Sequence, residues 1–225
     1  MISDIFNNLD WSILTDALLT VIPALLCITI HELSHGLAAY RLGDRTAKDM
    51  GRLTLNPIKH IDIFGLLMML IFKFGWAKPV PVNMHNFKKP KWYMAITAIA
   101  GPSSNIILAA FVMLIYGLTY SIFSGYDASG LSSFVVALIE RTAYLSVALA
   151  IFNLMPIPPL DGSKVLFSLL SEGTYYKLMR YERYGMILLI LILNTTLFRN
   201  TIGNLTLTLY SRLFIIANTA FQLVN

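Results

Sequence analysis

From Trp92 to Tyr126 the chain carries no charged side chain over 35 residues. A bilayer's hydrocarbon core is crossed by roughly 20 helical residues, so a stretch this long and this free of charge is built for lipid rather than water. Two further apolar stretches run from about Ser12 to Leu42 and from about Leu131 to Leu154, with Glu140 and Arg141 near the outer end of the latter. Residues 185–198 and 200–222 give one or two more spans, the last interrupted by Arg212, which must snorkel or pair. Only 13% of residues are charged, against about 25% in soluble domains. The expected fold is an all-α polytopic membrane protein: a three-helix core plus one or two further spans, in a single embedded domain over 1–225. The core covers about 12–165 and the additional C-terminal spans about 184–222.

The net charge of +5 is no nucleic-acid signature, because it is unevenly placed. Residues 1–16 hold Asp4, Asp10 and Asp16 and no lysine or arginine. Residues 43–91 hold nine Lys/Arg against three acids, and 161–184 hold four, whereas 121–139 hold Asp127 and no base. By the positive-inside rule the N-terminus lies outside and the two basic segments are cytoplasmic.

Within the first span, a run without charge from Ala17 to Ile30 ends at His31-Glu32-Leu33-Ser34-His35. Two histidines and a glutamate in an apolar run are costly in lipid and mark function. On a helix, residues four apart share a face one turn apart, the spacing at which His31 and His35 can hold one metal ion. Glu32 points roughly 100° away, within reach of a water whose pKa the metal lowers toward ~7. The single cysteine, Cys27, excludes an intrachain disulfide and a cysteine-built zinc site. It reads as a small buried helix residue.

Between the first two spans the chain is irregular. Gly51–Pro57 reads as a short strand closed by a turn. Ile63–Phe72 is ten uncharged residues, too short to cross, and reads as re-entrant or interfacial. Phe74–Asn83 is extended, because Pro79 and Pro81 forbid a helix, and it offers an edge for a peptide strand or is a surface loop. Gly101-Pro-Ser-Ser-Asn105 permits close helix packing, with Asn105 able to hydrogen-bond a neighbour. Span three stops at Asn153-Leu-Met-Pro-Ile-Pro-Pro-Leu-Asp-Gly162. Asp161 is then at a depth comparable with the two histidines and can complete a His-His-Asp site with an open fourth position.

In this order, His31–His35, Gly51–Pro57, Gly75–Asn83, Gly101–Asn105 and Asn153–Gly162 resemble the motifs of the site-2 protease family of intramembrane zinc metalloproteases, in a compact form. The resemblance runs from about Ile22 to Lys164. It implies one zinc per chain on His31, His35 and Asp161, Glu32 as general base, and Asn153 beside the site, positioning substrate or stabilising the oxyanion. It also implies transmembrane protein substrates and a multi-pass place in a prokaryotic cell membrane with the active site toward the cytoplasm. There is no room for a PDZ domain between the spans or a CBS domain after them, and His60-Ile61-Asp62-Ile63 lacks the family's proline. His60 and His85 are read as non-ligands. Substrate, trigger and oligomeric state are left open. The alternative function is a catalytically silent scaffold or chaperone for membrane helices. A metal transporter is disfavoured, since no further ionisable residues line the spans at the other membrane face.

Overall fold

The computed structural model describes residues 11–72, 75–123 and 130–224. The expectations for Asp4, Asp10, Lys73, Phe74, Asp127 and the Tyr126 end of span two lie outside the described residues.

Helix α1 (Trp11–Arg41) continues unbroken through Pro23 and ends at Leu42–Gly43, where Gly43 takes φ +108°. Helix α2 (Thr46–Asp49) and helix α3 (Ile63–Phe72) come next. Helix α4 (Pro90–Phe123) starts on Pro90, where a missing N–H costs nothing. Helix α5 (Leu131–Asn153) stops at the prolines, and α6 (Asp161–Ser168) begins on Asp161, with a carboxylate in its first turn. Helices α7 (Glu172–Tyr181), α8 (Gly185–Leu193) and α9 (Thr196–Val224) complete the chain.

The expected three-helix core is α1, α4 and α5, packed mutually, with α9 against α4 and α5 and α6 against α4. Ser12–Arg41, Pro90–Tyr120 and Leu131–Asn153 are long and apolar enough to cross a membrane. Helices α8 and α9 add a broken span or re-entrant pair, bent by 84°. Lipid offers no hydrophobic driving force between helices, so contact rests on shape and small residues. Gly117 lies against the Ala217 backbone, and Val112, Met113, Ala143 and Ala217 are buried where α4, α5 and α9 meet. Arg141 Nη2 lies 3.7 Å from Asp16 Oδ1, joining α5 to α1 at one end of the bundle. Arg212 is exposed on α9.

The strand expected at Gly51–Pro57 does not form, and the described residues contain no strand. Gly51 sits at φ +64°, and the Asn56 side chain accepts from Ile58 N–H (3.0 Å) to cap a 3₁₀ turn at Pro57–Lys59. Local turn chemistry wins because no neighbouring strand competes for this backbone. Among the described residues a lone antiparallel bridge, Ile61 to Ala77, is the sheet-like pairing present. Gly65 of α3 lets the Trp76 backbone cross in direct contact.

Candidate metal centre

Helix α1 delivers His31 and His35 from consecutive turns, and α6 delivers Asp161 from 130 positions away. His31 Nε2 lies 3.0 Å from His35 Nε2, and Asp161 Oδ2 lies 3.2 and 3.1 Å from the two nitrogens. The imidazole planes are perpendicular, at 89°, so that their Nε2 edges converge. All three residues are buried.

The donor set fits a tetrahedral zinc. Bonds of ~2.0–2.1 Å imply donors ~3.3 Å apart, close to the observed triangle. The protonation pattern also fits. His35 Nδ1 lies 2.7 Å from the Thr97 carbonyl, which can only accept, so Nδ1 carries the hydrogen and Nε2 keeps its lone pair. Burial opposes ionisation of Asp161, while Lys164 Nζ, 3.7 Å from its Oδ1, favours the carboxylate. Among the described residues this is the one His/Cys/Asp/Glu cluster with metal-ligand spacing. His60 lies outside it, with Nε2 on the Thr54 carbonyl (2.9 Å), and His85 is exposed.

Gly101 of α4 lets the helix close on the pair. A Cβ there would stand 2.7 Å from His31 Cε1 and nearer still to the His35 ring. The packing expected of the Gly101–Asn105 stretch is therefore packing onto the two imidazoles.

Glu32 faces the extended segment. Val80 N–H donates to Glu32 Oε2 at 2.7 Å, and among the described residues Oε1 has no hydrogen-bond partner. Buried Arg52 holds the other edge of the same segment, its Nη2 donating to the carbonyls of Lys78 (2.9 Å) and Pro79 (3.2 Å). Asp44, just past α1, accepts from Asn83 N–H and Asn86 Nδ2, both at 2.7 Å, and from Thr46 N–H at 3.1 Å. Burial would raise the Asp44 pKa, but these donors pull it below the ordinary carboxylate value. Three polar side chains thus pin a strap that carries two prolines and has few ladder bonds of its own.

Two cavities meet at the cluster. One, of about 490 Å³, is walled by His31, Glu32, His35, the strap from Pro79 to Met84, Lys164 and Glu182. The other, of about 520 Å³, is apolar, walled by Trp76, Leu149, Phe152, Met186, Leu189 and Ile190, and also touches His31 and Glu32. Asn153 and Pro159 border both. The Asn153 Nδ2 donates to the Leu149 carbonyl at 3.0 Å. Lys164 Nζ lies 3.7 Å from both Asp161 Oδ1 and Glu182 Oε1.

Sequence reasoning brings His31, Glu32, His35, Asp161 and Asn153 to one place, as the structure does. It misses Thr97, Arg52, Asp44 and Lys164. Thr97 acts through a main-chain carbonyl and leaves no residue-type signal. Arg52 reads as part of the Gly51–Pro57 motif and Asp44 as the end of the first helix, with no sign in the sequence that either holds the strap.

Comparison with known proteins supplies the family. Residues 119–194, which contain Asn153 and Asp161 but not the histidines, match the sequence model of Peptidase family M50. The chain is 42% identical over 180 residues to YwhC of Bacillus subtilis (strain 168), covering 79% of this chain and 80% of that one. It belongs to peptidase family M50. This M50 chain is also 29% identical over 182 residues to Rip2 of Mycolicibacterium smegmatis, covering 79% and 67% of the two chains. It is 30% identical over 178 residues to Rip2 of Mycobacterium tuberculosis (strain H37Rv), covering 77% and 66%. The names of all three relatives assign them provisionally as zinc metalloproteases. No solved structure matches. M50 membership and three apolar helices make the chain a membrane protein with a metalloprotease's family ties, as its motifs lead one to expect.

Proposed function

We propose that this M50 protein is an intramembrane zinc metalloendopeptidase, a single domain with its core at about 12–165, that cleaves transmembrane proteins near the cytoplasmic side. One observation carries the reading: Asp161 meets the His31–His35 pair within 3.2 Å although 130 residues separate it from His31. A buried carboxylate against two imidazoles, with glutamate on the open side, is a costly arrangement for helix packing alone.

His31, His35 and Asp161 would hold one zinc, whose chemistry is to polarise the scissile carbonyl and make water acidic enough to deprotonate near neutral pH. Glu32 takes that water's proton on Oε1 while Val80 N–H keeps Oε2, and so the carboxylate plane, fixed. It then returns the proton to the leaving amine. Asn153, on the border of both cavities, is positioned to donate to the substrate carbonyl or its neighbour once released from Leu149. The apolar cavity takes the membrane-embedded side of the substrate and the polar cavity the side nearer water, with the charged 43–91 segment as the lining of the water route. Helical backbone is neither extended nor accessible, so substrates with helix-weakening residues near the cytoplasmic interface are cleaved best. The positive-inside distribution of lysine and arginine supports an external N-terminus and a cytoplasm-facing site.

The test is metal content and cleavage measured on the same detergent-purified samples of wild type, His35→Ala and Asp161→Ala. The expected result is about one zinc per chain in wild type and loss of both zinc and cleavage in each variant. Zinc retained in Asp161→Ala would assign the third donor elsewhere. A folded wild type with neither metal nor cleavage would sink the enzyme reading and favour the scaffold.

A further inference from the structure

The two histidines are not held alike. His35 Nδ1 is fixed by the Thr97 carbonyl at 2.7 Å. His31 Nδ1 is buried and has no protein partner. If Nε2 of His31 faces a metal, Nδ1 must carry the hydrogen, and a ligating imidazole almost always donates that hydrogen to an acceptor, which fixes its tautomer and ring angle. A buried N–H left bare gives up its hydrogen bond to water with nothing in return.

The same part of the bundle contains a buried acceptor with the opposite deficiency. Asn105 is fully buried, and neither Oδ1 nor Nδ2 has a protein partner. Its position comes from register. Thr97, Gly101 and Asn105 are spaced by four along one face of α4, and Cys27, His31 and His35 by four along one face of α1. The helices face each other antiparallel: His35 meets Thr97, and both imidazoles meet Gly101. The next turn therefore sets Asn105 level with the Cys27–His31 turn. Helix α5 fixes the same level, since Cys27 Sγ donates to the Thr142 carbonyl (3.5 Å) and Ser146 Oγ donates to the Asn105 carbonyl (2.8 Å), one turn apart.

We propose that Asn105 is the positioning residue for His31: its side-chain carbonyl takes the Nδ1–H of His31, directly or through one ordered water. It does for His31 what the Thr97 carbonyl does for His35. A carboxamide suits the task in an apolar interior because it accepts without adding a charge beside the donor cluster, and its Nδ2 is left for a water or a nearby carbonyl. The inference rests on the metal-site reading above.

Full-length protein in detergent is stripped of metal and titrated with Zn²⁺ against a competing chelator. Asn105→Leu is expected to raise the zinc Kd by about 10–100-fold, the usual effect of removing such a partner. The metal-free variant should keep wild-type helicity by circular dichroism, so that the weakening reports on metal binding and not on the fold. Asn105→Val, also without an acceptor, carries the same expectation should leucine not be accommodated. Asn105→Asp, which keeps the acceptor, should bind within about threefold of wild type or more tightly, and the visible spectrum of its Co²⁺ form should match wild type. A zinc Kd for Asn105→Leu and Asn105→Val within about twofold of wild type overturns the proposal. So does weakening by Thr97→Val in their place, which would give the role to the Thr97 hydroxyl. Wild type that binds no zinc, with His35→Ala unchanged, removes the metal site itself; wild type that binds while Asn105→Leu does not differ removes only Asn105.

Discussion

The two sides of the centre are built differently. On one side α1, α4 and α6 bring three donors together by close helix contact, with Gly101 against the imidazoles. On the other, the strap from Lys78 to Asn83 is held through its backbone, donating to the carboxylates of Glu32 and Asp44 and accepting from Arg52. Helix contact fixes positions to a fraction of an ångström and tolerates no added atom. Side-chain-to-backbone bonds hold a segment in place yet can be exchanged for others. The helical side is thus suited to holding a metal, and the strap to meeting a peptide whose sequence varies.

If that division holds, damage on each side has its own signature. The largest effect is expected for Glu32→Gln, the residue that touches both sides. The kcat for a transmembrane substrate should drop by roughly 10²–10⁴ with zinc content unchanged, measured by cleavage and metal analysis together. Zinc lost in this variant would make Glu32 a ligand and merge the two sides. Next comes Gly101→Val, whose branched side chain must displace the imidazoles. Zinc affinity should fall at least ~10-fold, as expected when ligand orientation is disturbed, while helicity by circular dichroism persists. Normal affinity would mean that α4 can retreat and that helix contact does not set the donor geometry.

Arg52→Gln tests the strap alone. Losing charged hydrogen bonds to two carbonyls should raise KM for substrate by about 10-fold, each such bond being worth ~1.5–3 kcal/mol less the water that replaces it. Zinc affinity should stay within about twofold of wild type, and a metal-depleted Arg52→Gln would break the comparison. The smallest effect is pH-dependent. The folded Asp44 pKa lies below its unfolded value of about 3.9, so its contribution is complete above roughly pH 5 and fades as pH falls through that range. Wild type should therefore melt above Asp44→Asn at pH 7, with the gap starting to narrow only below about pH 4; a gap that stays constant down to about pH 2 would mean that the charge is not what holds Asn83 and Asn86.

The same contrast explains what could be read from residues alone. Helical periodicity put His31 and His35 on one face, and the prolines after Asn153 stopped α5 where Asp161 could reach them. Charge-free length located α1, α4 and α5 because lipid leaves a backbone few alternatives. The irregular chain between α1 and α4 lacks such constraints. Gly51 and Asn56 each make a local turn, so the strand expected at Gly51–Pro57 gave way to a cap and a 3₁₀ turn. Arg52 was legible as a basic residue of the Gly51–Pro57 motif but not as the clamp on the strap, because its partners are carbonyls, which every residue possesses. Thr97 escaped for the same reason, while the break between α8 and α9 falls where the Thr195 hydroxyl accepts from Phe198 N–H at 3.4 Å.

The meeting of an apolar and a polar cavity at His31 bears on the fate of a severed chain. A peptide lying through both would yield two fragments soluble in different phases, one retained in lipid and the other free to enter water. Their recombination would require the released piece to return across that boundary and find the retained one still lodged. Separation of phases would then make the reaction run one way, and neither fragment would compete with the next substrate for the whole of the cleft.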